Sequence, residues 1–102
     1  VSHEDTIHEL REAADRLDLV AAGDGFVAAI MRACSDLIEA GTTFGRRSAR
    51  HVLASLLDPM PIDGRTLLEY ARDEANGRRY SDLNALAYSL AEDAIKGALD
   101  SI

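Results

Sequence analysis

The chain is short of the residues that most often announce a chemistry. It holds one cysteine, no tryptophan and two prolines in 102 residues. A single Cys cannot close an intramolecular disulfide, so the fold does not depend on one. Aromatics make up only 5% of the chain, which leaves few platforms for stacking single-stranded nucleic acid. No apolar run approaches the roughly 18 residues that a membrane span needs. The first residues, Val1-Ser2-His3-Glu4-Asp5, place no basic stretch ahead of an apolar one. No secretory signal is read there, and a cytoplasmic location is the expectation.

Cations are also scarce. Eleven Lys and Arg stand against 18 Asp and Glu, for a net charge of −7. A general coat for nucleic acid needs clustered Lys and Arg, so that class is set aside. The charge is unevenly spread: residues 1–40 carry −6, residues 41–80 carry +2 and residues 81–102 carry −3. Ten of the eleven bases are Arg. That bias is read first as the mark of a GC-rich genome, and second as a source of forked hydrogen bonds to carboxylate or phosphate.

What is present is a helix-forming chain, rich in Ala and Leu, without repeats or linker-like segments. Its length predicts one domain over residues 1–102, with roughly 65% of the unfolded surface buried. The fold class read from the pattern is all-α, a bundle of about five helices. Helix 1 is expected from Ser2 or Glu4 to Ala22, with Ser2 as N-cap, a core stripe of Ile7, Leu10, Ala14, Leu17 and Ala21, and Gly23 as stop. Helix 2 runs from Gly25 to Ala40 behind Asp24. Its apolar set of Phe26, Val27, Ala29, Ile30, Ala33, Cys34, Leu37 and Ile38 covers more than half the wheel, and Arg32, Ser35, Asp36 and Glu39 mark the wet side. Helix 3 runs from Phe44 to Leu57, capped by Thr42 or Thr43, with Ala49, Val52, Leu53, Leu56 and Leu57 inward. Asp63 is expected to cap helix 4, from Gly64 to Asn76, with Leu67, Leu68, Ala71 and Ala75 inward and Gly77 as its end. Ser81 caps helix 5, from Asp82 to Ser101, where Leu83, Leu86, Ala87, Leu90, Ala94, Ile95, Ala98 and Leu99 form another wide apolar arc. Helices 2 and 5 are therefore expected to be the most buried. Their arcs exceed what one small bundle covers, which predicts a homodimer or a stable protein complex.

No constellation of catalytic or ligand-binding residues stands out. Glu4 and His8 lie at i, i+4 and could face one ion, but no distant His or Cys completes a set. Cys34 sits among Ala and Ile and reads as a small buried hydrophobe. Ser48 and His51 lack an oxyanion hole. The Gly-containing turns at residues 23–25 and 41–45 match no phosphate-binding fingerprint. The expectation is a chain that is not an enzyme and carries no metal or cofactor.

Two charged regions remain. Glu4, Asp5, Glu9, Glu12, Asp15 and Asp18 lie along helix 1, as a solvated face or as a surface matched to a basic partner. Arg46, Arg47, Arg50 and His51 lie on helix 3, and Arg78 and Arg79 precede helix 5. The stretch Leu37-Ile38-Glu39-Ala40-Gly41-Thr42-Thr43-Phe44-Gly45-Arg46-Arg47-Ser48-Ala49-Arg50-His51-Val52-Leu53 resembles the helix-turn-helix layout. That resemblance implies DNA reading by Arg47, Arg50 and His51, with Arg46 on a phosphate. The leading expectation is instead a non-catalytic protein–protein contact, as a regulator, inhibitor or accessory subunit. Small acidic inhibitors of nucleic-acid enzymes offer a class-level analogy. The alternative is a dimeric helix-turn-helix regulator.

Overall fold

A computed structural model describes residues 3–20, 25–78 and 81–102. Among these residues the chain is all-α. Its helices are α1 (His3–Val20), α2 (Phe26–Glu39), α3 (Thr43–Leu57), α4 (Leu67–Arg78) and α5 (Asp82–Ser101). The expected roles of Ser2, Ala21, Gly23, Asp24 and Arg79 fall outside the described residues.

The helix boundaries follow local chemistry. Thr42 caps α3, its Oγ1 accepting a hydrogen bond from the Gly45 amide at 2.9 Å. Ser81 likewise caps α5, accepting from the Asn84 amide at 3.3 Å. Between α2 and α3 the backbone turns at Gly41, whose φ of +73° lies in the left-handed region that a side chain resists. Asp58, ahead of Pro59, is extended and ends α3.

Helix 4 begins later than its sequence suggests. Asp63 does not cap a helix: its Oδ1 accepts from the Arg65 amide at 3.0 Å, inside a turn closed by Gly64 N–H donating to Met60 O at 2.8 Å. Gly64 has φ +72°, a conformation that cannot open a right-handed helix. The start moves to Leu67, where Thr66 Oγ1 accepts from the Glu69 amide at 3.1 Å. Thr66-Leu67-Leu68-Glu69 is the capping pattern that the Asp63-Gly64 pair obscured. Nor does Gly77 stop the helix, which continues to Arg78.

The packing centres on α1. It lies against both α2 and α5, while α3 joins α2 to the α4–α5 side. Leu10, Leu17, Met31, Ile38, Leu53, Leu56 and Ile95 are the large side chains at the centre of one continuous core. α1 buries Thr6 and Ala13 beside the expected Leu10, Ala14 and Leu17, so its apolar stripe is broad enough to meet two neighbours.

Two faces differ from the expectation. On α2, Ser35 is fully buried rather than wet, while Phe26, Ala29 and Ala33 are exposed. The Ser35 hydroxyl donates to Arg32 O at 2.7 Å and accepts from Arg11 Nε at 3.1 Å. These two bonds satisfy it away from water. On α5, Asn84, Tyr88 and Ala91 turn inward, while Leu83 and Leu86 stay exposed. Asn84 Nδ2 donates to Asn76 Oδ1 at 3.3 Å, tying α5 to α4.

Candidate functional site

The acidic residues predicted on α1 do not form one surface. Asp15 and Asp18 both accept from Arg32 of α2, the Asp15 bond being 2.7 Å long. Across the same interface Arg11 reaches Glu39 at 3.0 Å and Asp36 at 2.7 Å. Glu39 and Asp36 hold the Arg11 guanidinium above its ordinary range, and Asp15 and Asp18 do the same for Arg32. These four carboxylates fasten α1 to α2. Glu4 and Asp5 are exposed near the start of α1. Glu12 accepts from Arg16 at 2.8 Å and lies 3.4 Å from His8 Nε2.

Glu9 and Glu12 point elsewhere. They line a groove between α1 and α5 together with Ala13, Arg16, Leu90, Asp93 and Ala94, with a volume of about 270 Å³. Glu9 crosses toward α5, its Oε2 lying 4.0 Å from where a Cβ on Gly97 would stand. A larger apolar section of about 490 Å³ is lined by Arg16, Leu19, Val20, Leu83, Leu86, Ala87 and Leu90. Arg16 and Leu90 belong to both sections, so the groove is continuous. In the apolar section Leu19 is 85% exposed, Leu83 65% and Leu86 56%. Three open leucines on two adjacent helices form a patch rather than scattered surface residues.

The predicted basic residues divide in the same way. Arg46 Nη1 turns back to donate to Gly41 O at 3.1 Å, closing the turn before α3. Arg78 pairs with Glu74 at 2.7 Å. Arg47, Arg50 and His51 are exposed, and among the described residues none of them has an ion-pair partner.

Cys34 is buried on α2, its Sγ 3.9 Å from Ala49 O. Burial pushes its thiol up to about 11, away from the thiolate that nucleophilic chemistry needs. Among the described residues no three His, Cys, Asp or Glu side chains stand where they could hold a metal ion. No described helix is long and apolar enough to cross a membrane.

The sequence pattern did not reveal the groove, because Leu83 and Leu86 fit a core arc as well as a surface one. The one available signal was the width of the α5 arc, which exceeds what a single packing partner covers. Comparison with protein-family models, with curated proteins and with solved structures finds no match.

Proposed function

We propose that this chain is a non-catalytic interaction protein, a regulator, inhibitor or accessory subunit that binds a protein partner through the α1–α5 groove. The observation that carries the reading is the open leucine patch of Leu19, Leu83 and Leu86 over a cavity of about 490 Å³. Leaving that surface in water forgoes about 25 cal/mol per Å² of apolar area, which a bound partner recovers. A solvatochromic apolar dye tests it. Its fluorescence should rise on the native chain and fall in Leu19→Ser/Leu86→Ser with the helical circular dichroism intact. A native chain that leaves the dye unchanged overturns the reading.

Self-association belongs to this proposal at a second place. Phe26, Ile30, Ala33 and Leu37 follow one another on α2 at spacings of four, three and four, and the adjoining Ala29 and Ala40 are uncharged. Asp36 and Glu39, the two carboxylates of α2, are both engaged by Arg11, so two chains of net charge −7 can meet there without an unpaired α2 carboxylate. Sedimentation equilibrium should then show a dimer that Ala33→Glu dissociates, and a strictly monomeric chain removes this part.

A second reading, DNA recognition by α3, is favoured by the exposed Arg47, Arg50 and His51 behind the Gly41 turn, none of them in an ion pair among the described residues. It predicts salt-sensitive binding to duplex DNA that Arg47→Ala and Arg50→Ala each weaken. The absence of any mobility shift at low salt removes it.

A further inference from the structure

We infer that the α1–α5 groove receives an amphipathic α-helix of another protein, with apolar side chains at one end of its buried stripe and Lys or Arg at the other. This inference rests on the interaction reading above and adds the chemistry and polarity of the partner.

Three features of the groove select a helix. Its lining along α5 runs from Leu83 to Ala94, with Glu9 reaching Gly97 beyond. At 1.5 Å per residue, Leu83 to Gly97 is about 21 Å, or about four helical turns. Both walls are helices, whose mid-segment N–H and C=O groups are spent on their own i, i+4 bonds. An extended peptide would therefore lay unpaired backbone groups against leucine, at a cost that a helix avoids by pairing its own. A third helix in the furrow between two others is also a common packing solution, with side-chain ridges fitting into grooves.

The charge of the groove selects the partner's polarity. Among the described residues, none lining the Leu19–Leu83–Leu86 section is a carboxylate, whereas the other end holds Glu9, Glu12 and Asp93. Among the described residues, Arg16 is the sole cation lining either section, and it is already engaged by Glu12 at 2.8 Å. Among the described residues Glu9 and Asp93 have no ion-pair partner. An incoming Lys or Arg at that end meets two uncompensated carboxylates. A second copy of this chain fits poorly. Two grooves paired about a two-fold axis would set Glu9 and Asp93 against their own counterparts or bury them on leucine, and either arrangement is unfavourable.

The test uses the full chain and labelled synthetic helical peptides of about 18 residues. One carries a Leu stripe that runs into Lys on the same face, made in both chain directions. Its control carries Glu in place of those Lys. Fluorescence anisotropy should show binding of the Lys peptide in one direction, weakened by added salt. Leu86→Asp should abolish it. Glu9→Lys/Asp93→Lys should weaken it by about tenfold or more and turn the preference toward the Glu peptide. Circular dichroism of each variant separates a lost site from a lost fold. Equal binding of both peptides, or binding indifferent to the double reversal, overturns the charge polarity while the interaction reading stands. Self-association that Leu86→Asp abolishes and the double reversal leaves intact assigns the groove to a second copy and overturns the inference. Failure of every peptide on a chain that still brightens the apolar dye also overturns it, without touching the broader reading.

Discussion

At Gly45 one hydrogen atom sets how closely two helices approach. A Cβ there would stand 2.4 Å from Leu37 O and 2.9 Å from Thr42 Oγ1, and the first of these is backbone that cannot step aside. Gly45→Ala should cost about 1–3 kcal/mol, the range for overpacking, read as a lower urea midpoint. Gly77 is the opposite case, since no atom lies within 4 Å of its Cβ position and it sits inside α4. Gly77→Ala should raise stability through helix propensity, by less than the roughly 0.8–1 kcal/mol of a helix interior because Gly77 is the penultimate residue of α4. The sequence marked Gly77 as a stop and treated Gly45 as part of a turn, because a glycine's spatial neighbours are invisible in one dimension. Cys34 was legible, since a small thiol among Ala and Ile reads as core. Its thiol, pushed from 9.0 to about 11, binds its proton more tightly folded than unfolded. The stability this contributes is whole below about pH 9 and is lost as pH rises through the folded value. Urea midpoints should therefore fall more steeply across that alkaline window in the native chain than in Cys34→Ala. At neutral pH the thiol should react with a thiol reagent only as fast as the fold opens.

Carboxylates on the same helix divide by the element they face. Asp15 and Asp18 face α2 and meet Arg32, whereas Glu9 faces α5 and the open groove. Asp15→Lys should lower stability by less than about 1 kcal/mol, as for an exposed ion pair, and leave peptide binding unchanged. Glu9→Lys should do the reverse. Denaturation and anisotropy measured on both variants check the division. The sequence put all six acids on one face because no position within α1 reports which neighbour stands opposite. The same gap explains α5. Its existence, its Ser81 cap and its length were all legible, yet Asn84, Tyr88 and Ala91 replaced Leu83 and Leu86 as its inward side. Polar Asn84 is tolerated inside because Asn76 accepts its amide proton, a pairing across the α4–α5 connection that hydropathy does not register.

For the molecule as a whole, the arrangement of charge follows from where the helices meet. The acidic residues 1–40 are partly neutralised at the α1–α2 seam by Arg11 and Arg32. Among the described residues, Glu9 and Asp93, neither in an ion pair, share one end of the α1–α5 groove, and Arg47, Arg50 and His51 stay exposed on α3. Leu53, with no exposed surface, lies in the core common to all five helices. Leu53→Ala should cost about 2–5 kcal/mol in chemical denaturation, lowering stability without selectively altering either charged surface. The sequence by itself determined the fold class, the five helices and the caps of α3 and α5, because propensity, capping and the 3.6-residue period act within a few residues of each position. It also determined the absence of a disulfide within the chain and the overall excess of carboxylate. Only the tertiary structure decided which apolar residues became core, which charges found partners, and that a leucine patch and two unpaired carboxylates share one groove. Those outcomes depend on which helix stands opposite which, and that pairing is fixed by packing between segments far apart in the chain.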